Sequence, residues 1–320
     1  MRIAVLDDYQ GRAAQMADWT ALGAQVDFLS APIPHAEIAA RLAPYEVLVL
    51  MRERTALDAA TLAQLSRLRF VVTTGMRNAS LDVAHLAARG IPVSGTGAAA
   101  GGPAPGVAST VELAWALILA WFKRVPAEDQ ALRHGAWQTA LAENLGGRTL
   151  ALLGLGNLGR QMLGPARAFG MTPIAWSQNL TAETAAAHGV ERVERDELFA
   201  RADVLSIHLV LSERTRGLVG ARELALMAPG AMLVNTSRGP IVDAAALVAA
   251  LRRGEIAGAC LDVYDQEPLP AGDPLREAPN TILLPHLGYA TEATLTEMYR
   301  QAVEDIAAFI SGTPIRLITL

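Results

Sequence analysis

The chain has almost no cysteine: Cys260 is the only one in 320 residues. That excludes a disulfide framework within the chain, and a reducing compartment fits. Cys260 lies in the apolar stretch 256–263 and reads as a core residue. Positive charge is also in short supply. The 27 Lys and Arg stand against 32 Asp and Glu, a net charge of −5, with both signs interspersed. No basic stripe is present, so nucleic acid is not an expected partner. Long hydrophobic runs are missing too. The longest, 111–122, is interrupted by Glu112 and closed by Lys123 and Arg124. It is too short to span a bilayer and reads as a buried helix. Met1-Arg-Ile-Ala-Val-Leu-Asp-Asp8 lacks the charged region, apolar core and cleavage site of a signal peptide. Internal repeats are absent. Together these absences predict a soluble, cytoplasmic protein with neither a membrane nor a nucleic-acid partner.

What is present is an alternation of strands and helices long enough for two domains. Strand-like runs fall at 2–6, 25–29, 47–51, 69–73 and 91–93, with helical patterns near 36–42, 58–65 and 82–88. The alternation resumes with strands at 149–153, 173–176, 204–207, 231–235, 258–263 and 281–284. This pattern predicts an α/β fold with parallel sheets. Residues 95–108, dense in Gly and Pro, mark a flexible connection and the expected domain boundary, after which Ser109 or Thr110 would cap a helix. The amphipathic stretch 291–311 is of the kind that returns to complete an N-terminal domain. The expected organisation is a substrate domain of 1–100 with 291–320, and a dinucleotide-binding domain of 101–290.

The strand ending at Leu153 runs into Gly154-Leu-Gly156-Asn-Leu-Gly159, and a helical pattern follows from Arg160 to Phe169. In such a turn the first glycine allows the tight bend and the second lets backbone approach a pyrophosphate. The third lets helix pack on strand. An acid usually follows about 20 residues on, where it binds the ribose 2′-OH of NAD. Here Ser177 holds that position, followed by Gln178 and Asn179. None of these would repel a 2′-phosphate, and no Arg follows at once to clamp one. The cofactor expectation therefore stays open between NAD and NADP.

Three downstream segments carry candidate chemistry. Arg238 follows a short polar turn after a strand, and a guanidinium there can hold a carboxylate and polarise a carbonyl. Glu267 sits in the loop after Asp262, which closes another strand, and His286 follows a third strand and Pro285. Reducing a 2-keto acid needs a hydride donor, a cation for the substrate and a proton donor active near neutral pH, a role that suits His. A carboxylate at Glu267 would keep His286 as imidazolium until transfer. No metal site is expected.

These motifs, in this order, resemble the D-isomer-specific 2-hydroxyacid dehydrogenase family. The likeness rests on Gly154–Gly159, on Asn235-Thr-Ser-Arg-Gly-Pro-Ile-Val-Asp243, on Leu261-Asp-Val-Tyr-Asp-Gln-Glu-Pro268 and on Pro285-His-Leu-Gly288. Ser109-Thr-Val-Glu-Leu-Ala-Trp115 and Asp203-Val-Leu-Ser-Ile-His-Leu209 match as well. The resemblance implies that Arg238 binds the substrate, His286 is the acid/base and Glu267 tunes it. It also implies that Gly154, Gly156, Asn157, Leu158, Gly159, Ser177, His208, Thr215, Thr236, Asp262 and Gly288 surround the cofactor. The expected architecture is two Rossmann-like domains with the active site in the cleft between them. A homodimer is expected too, with 126–147 as the embracing region.

Departures from the family pattern are Val210, where a proline is usual, and Ser177. The carboxylate-binding loop takes the form Thr73-Thr-Gly75-Met76-Arg77-Asn78, and Arg77 with Arg52 and Arg54 would favour a second acidic group on the substrate. The leading expectation is a reductase of glyoxylate, hydroxypyruvate or a phosphorylated analogue. Glu267 stands where a formate dehydrogenase would have Gln. The alternatives are a phosphite dehydrogenase-like enzyme, which shares the trio, and an NAD(H)-sensing co-repressor on the same fold.

Overall fold

A computed structural model describes residues 1–97 and 107–319. Most of the Gly/Pro-rich run 95–108 lies outside the described residues. The chain divides into two compact units, Met1–Pro105 with Ala290–Leu320, and Gly106–Tyr289.

The first unit contains strands β1 (Arg2–Val5), β2 (Gln25–Phe28), β3 (Val47–Leu50), β4 (Phe70–Thr73) and β5 (Val93–Gly95). They form one parallel sheet in the order β2-β1-β3-β4-β5. β3 and β4 are buried along their whole length, which is why they read as unbroken apolar runs rather than alternating ones. Burying each such Val, Leu or Phe side chain contributes roughly 1.5–3 kcal/mol. The helices Ala59–Gln64 and Val83–Ala88 start where Asp58 and Asp82 accept the amides of Thr61 and His85, each at 2.8 Å. The long helix Glu292–Ile310 packs back on this unit, with Phe309 stacked on Phe70 of β4 at 4.4 Å.

The second unit contains β6 (Thr149–Leu153), β7 (Thr172–Trp176), β8 (Glu191–Arg192), β9 (Val204–Ile207), β10 (Met232–Asn235), β11 (Gly258–Leu261) and β12 (Thr281–Leu283). All pairs are parallel, in the order β12-β11-β10-β9-β6-β7-β8. The order reverses direction at β6, whose neighbours are β7 and β9. Such a switch point opens a crevice outside the carboxyl ends of the strands, where α/β sheets bind ligands. One face of the sheet is covered by the helix Val107–Phe122, the other by helices that include Ala244–Arg253.

Three sequence expectations need correction. Ser109 and Thr110 do not cap the long apolar helix, because it already runs from Val107. The Thr110 hydroxyl instead donates to the Gly288 carbonyl at 3.0 Å. The helix expected over 160–169 is two shorter pieces, Asn157–Gln161 and Leu163–Ala168. β5 lies two residues later than its apolar run suggests, because its ladder with β4 pairs Val93, Ser94 and Gly95 with Val71, Val72 and Thr73. Among the described residues, no helix is long and apolar enough to cross a membrane.

Candidate active site

The dinucleotide turn begins where β6 ends. Gly154 has φ 110°, a conformation that disfavours any side chain, and its amide donates to the Trp176 carbonyl at 2.9 Å. A Cβ on Gly154 would lie 2.7 Å from the His208 carbonyl oxygen, and one on Gly159 would lie 2.2 Å from the Gly154 carbonyl. Gly156 is different: nothing lies within 4 Å of where its Cβ would be. The outer glycines therefore close the turn, while the middle one leaves open space above it. No described residue accepts from the amides of Leu155, Gly156, Asn157 or Leu158. Unpaired amides at a helix start, facing open space, suit phosphate oxygens.

Residues around this turn carry further unpaired polar atoms. The Thr236 hydroxyl, just past β10, is buried with no hydrogen-bond partner among the described residues. His208, just past β9, shares a 2.8 Å hydrogen bond with Ser206 through Nε2, while its buried Nδ1 has none. Burial pushes His208 down to about 4, so its ring is neutral near pH 7. Orphaned buried atoms beside a glycine cradle fit a bound dinucleotide. Thr215 serves a different end: its hydroxyl donates to the Val210 carbonyl at 2.7 Å and accepts the Ser212 amide at 2.8 Å, closing the loop. Val210 in that loop is 76 % exposed. Ser177 follows Trp176 directly. The arginines near β7 are already engaged. Arg195 pairs with Glu223 at 2.9 Å, and Arg192 pairs with Glu194.

The candidate catalytic groups sit on loops that the backbone draws together. Asn235 shapes the first loop: its side chain donates to the Arg238 carbonyl and accepts the Ser237 amide, both at 3.0 Å. Arg238 Nη1 donates to the Ser237 carbonyl at 2.8 Å. A Cβ on Gly239 would fall 2.1 Å from the Tyr264 carbonyl carbon, so this glycine lets the Arg238 loop touch the loop carrying Glu267. Glu267 is held from both ends. The Tyr264 amide donates to Oε1 at 3.0 Å, and His286 Nδ1 lies 2.5 Å from Oε2.

His286 itself has φ 56°, an uncommon conformation for a residue with a Cβ, costing roughly 1–2 kcal/mol. Asp262 is what holds it there. The fully buried Asp262 carboxylate accepts the Leu287 amide at 2.7 Å and the Gly288 amide at 2.8 Å. Burial raises Asp262 above the ordinary carboxylate range, against the opposing pull of those amides. Tyr289 sets its ring edge-on to the imidazole at 5.5 Å. The arrangement is a rigid His–carboxylate pair. Nε2 is the nitrogen that Glu267 leaves for a reacting atom.

Within the other unit, Arg52, Gly75, Met76 and Arg77 gather at the carboxyl ends of β3 and β4. Gly75 has φ 114°, and its amide donates to the Thr96 hydroxyl at 3.0 Å. A Cβ on Gly75 would sit 3.2 Å from Arg52 Nη1. No described residue accepts from the Met76 or Arg77 amides. Arg54 donates to the Asp7 carbonyl at 3.1 Å and lies over the Tyr9 ring.

Sequence reasoning placed Asp262 and Gly288 beside the cofactor but did not show that they bond each other and so fix His286. It also missed Thr110 on Gly288 and the Tyr264 amide on Glu267. The residues on each side of the Thr110 bond are 178 positions apart, and no local pattern encodes such a contact.

Comparison with known proteins is consistent with this geometry. Residues 115–288 match the family model described as "D-isomer specific 2-hydroxyacid dehydrogenase, NAD binding domain". A glyoxylate reductase of Aeropyrum pernix is 39% identical over 289 residues, covering 84% of each chain. A D-3-phosphoglycerate dehydrogenase of Archaeoglobus fulgidus is 31% identical over 282 residues, which is 88% of this chain and 52% of that one. Among solved structures, a putative D-3-phosphoglycerate dehydrogenase oxidoreductase from Ralstonia solanacearum superposes with a TM-score of 0.90 at 32% identity, covering 99% of this chain and 96% of that one.

Proposed function

The chain belongs to the D-isomer-specific 2-hydroxyacid dehydrogenase family, oxidoreductases acting on CH–OH donors with a nicotinamide cofactor, and we propose that it reduces a small 2-keto acid to the D-2-hydroxy acid. The observation that carries this reading is the 2.5 Å pair of His286 and Glu267, on a loop pinned by Asp262 in the same unit as the glycine cradle. When bound, a reduced nicotinamide would supply the hydride to the carbonyl carbon. His286 supplies the proton to the carbonyl oxygen through Nε2. Glu267, 2.5 Å from Nδ1, fixes the ring and its orientation. Arg238 polarises the carbonyl and binds the carboxylate. In the first unit, the Met76 and Arg77 amides, which no described residue accepts from, are the neutral donors proposed for a carboxylate. A further acidic group on the substrate would be drawn to Arg52, Arg54 and Arg77.

The amides from Leu155 to Leu158 would hold the cofactor's phosphates, Thr236 and His208 would offer it their unpaired atoms, and Ser177 would stand toward the 2′ position. Without a carboxylate at Ser177, the chain takes NADP as well as NAD. The working form is a homodimer joined through 126–147.

The test is oxidation of NADH and NADPH with glyoxylate, hydroxypyruvate and pyruvate. Turnover is expected with at least one acid. His286→Gln is expected to lower kcat by roughly 10²–10⁴-fold, the usual share of a general acid, with cofactor affinity near wild type. If the protein binds NAD(P)H and turns over none of these acids, the reading fails. An equally large loss of cofactor binding in His286→Gln would remove the acid/base assignment.

A further inference from the structure

We propose that Met76 sets the size limit on the substrate, through a platform made by Gly97 and Gln301, and that the substrate class is 2-keto acids with a compact group beyond the carbonyl. This rests on the reading above, in which the Met76 and Arg77 amides bind the carboxylate.

Met76 is a large apolar side chain, 45% exposed, on the turn that presents those two unpaired amides. An exposed methionine is ordinarily mobile. Here one side of it is backed by the chain. A Cβ on Gly97 would lie 2.9 Å from Met76 Cγ and 3.4 Å from Sδ, so the thioether rests where that glycine has no side chain. A Cβ on Gly95 would lie 3.1 Å from Met76 Cα and 2.6 Å from the Gly75 carbonyl oxygen, so the turn itself rests on a second glycine.

The platform is held firmly. Gln301, 4% exposed, pairs with Gly97 as another strand would: the Gly97 amide donates to Oε1 at 2.8 Å, and Nε2 donates to the Gly97 carbonyl at 3.0 Å. Nε2 also donates to Glu297 at 2.6 Å, which fixes the amide plane. Gly97 therefore cannot retreat, and Met76 has only its open side to move into. The same turn carries the amides proposed to hold the carboxylate. The group on the far side of the substrate carbonyl meets a thioether that offers apolar contact and no hydrogen bond.

Two substitutions push the wall in opposite directions. Met76→Ala removes it. Gly97→Ala adds a methyl group 2.9 Å from Met76 Cγ, close enough to push it, and the positive-φ constraint that would forbid a side chain is absent at Gly97. The contact is with a flexible side chain, so Met76 swings toward the amides rather than the fold being disrupted. The measurement is the ratio of kcat/KM for phenylpyruvate to that for glyoxylate, with NADPH. Met76→Ala should raise the ratio by about tenfold or more, on the scale set by a few methylene contacts. Gly97→Ala should lower it, and the double variant should lie close to Met76→Ala. A ratio within twofold of wild type in Met76→Ala overturns the inference, as does a rise in Gly97→Ala. If Met76→Ala unfolds, the fall expected in Gly97→Ala decides. Wild-type protein that binds NAD(P)H yet reduces none of glyoxylate, hydroxypyruvate, pyruvate and phenylpyruvate with either cofactor overturns both this inference and the reading beneath it, whereas wild-type turnover with unmoved ratios overturns this inference alone.

Discussion

On the proposed reading, one side chain, Ser177, decides between NAD and NADP. It follows Trp176, whose carbonyl receives the Gly154 amide at 2.9 Å, so the backbone ties its position to the start of the phosphate turn. The first arginines after Ser177 along the chain, Arg192 and Arg195, are held by Glu194 and Glu223, and Arg167 before it donates to the His188 and Gly189 carbonyls. A 2′-phosphate at Ser177 would thus meet neutral donors and no competing carboxylate. Replacing Ser177 by Asp puts a like charge against that phosphate. At about 4 Å this costs about 1 kcal/mol in water-like surroundings and more where water is excluded. The ratio of kcat/KM for NADPH over NADH should therefore fall by roughly tenfold or more in Ser177→Asp. An unchanged ratio would place Ser177 away from the 2′ position.

At the level of elements, the helix Glu292–Ile310 carries a buried titrating group. Asp305 is fully buried in its middle, with Oδ1 accepting Arg316 Nε at 2.9 Å and Oδ2 unpaired. Burial raises it to about 7, with Arg316 opposing and Glu304 assisting the rise. The folded chain therefore holds this proton more tightly than the unfolded chain, whose Asp titrates near 4. Folding stability should decline as pH rises from about 4 through about 7 on this account, and level off above. Asp305→Asn keeps an acceptor for Arg316 and removes the titration. Its urea midpoint should gain on wild type as pH rises from about 4.5 to about 7.5. A midpoint difference that stays constant across that window would show that Asp305 does not titrate there.

The same scale shows what the sequence made legible. Buried parallel strands such as β3, β6 and β9 carry their signal in their own residues, so their apolar runs located them. β8 is two residues, Glu191–Arg192, and has no apolar run to betray it. β5 runs on to Gly95 because its register is set by pairing with β4, Val71 with Val93 through Thr73 with Gly95, and not by its own apolar residues. His286 and Glu267 were legible as types of residue in loops after strands, but their 2.5 Å contact was not. Asp262 explains why: the bonds that fix His286 reach 25 and 26 residues along the chain to backbone amides that any sequence would supply.

At the scale of the whole molecule, the surface of the second unit carries a stretch whose apolar residues the described chain does not cover. Val125, Leu132, Trp137 and Leu141 are 55%, 57%, 77% and 92% exposed. Single exposed apolar residues need no explanation, but four within 17 positions, one of them tryptophan, mark an interaction surface. The segment is also ordered for display. Glu128 in the helix Val125–Arg133 accepts the Thr139 amide at 3.1 Å, its hydroxyl at 2.5 Å and the Ala140 amide at 3.2 Å, tying the loop back to the helix. Those bonds leave Trp137 and Leu141 outward on either side of the tether. A second copy of the chain is the proposed cover, and a tryptophan buried at its centre would supply much of the affinity. A carboxylate there would be desolvated without a partner, which costs several kcal/mol. Trp137→Glu combined with Leu141→Glu should therefore sediment as a monomer at concentrations where wild type is a dimer. Its circular dichroism should be unchanged, because neither side chain contributes to a core. A wild-type protein that is monomeric throughout, or a double variant that still pairs, would move the homodimer contact elsewhere or remove it.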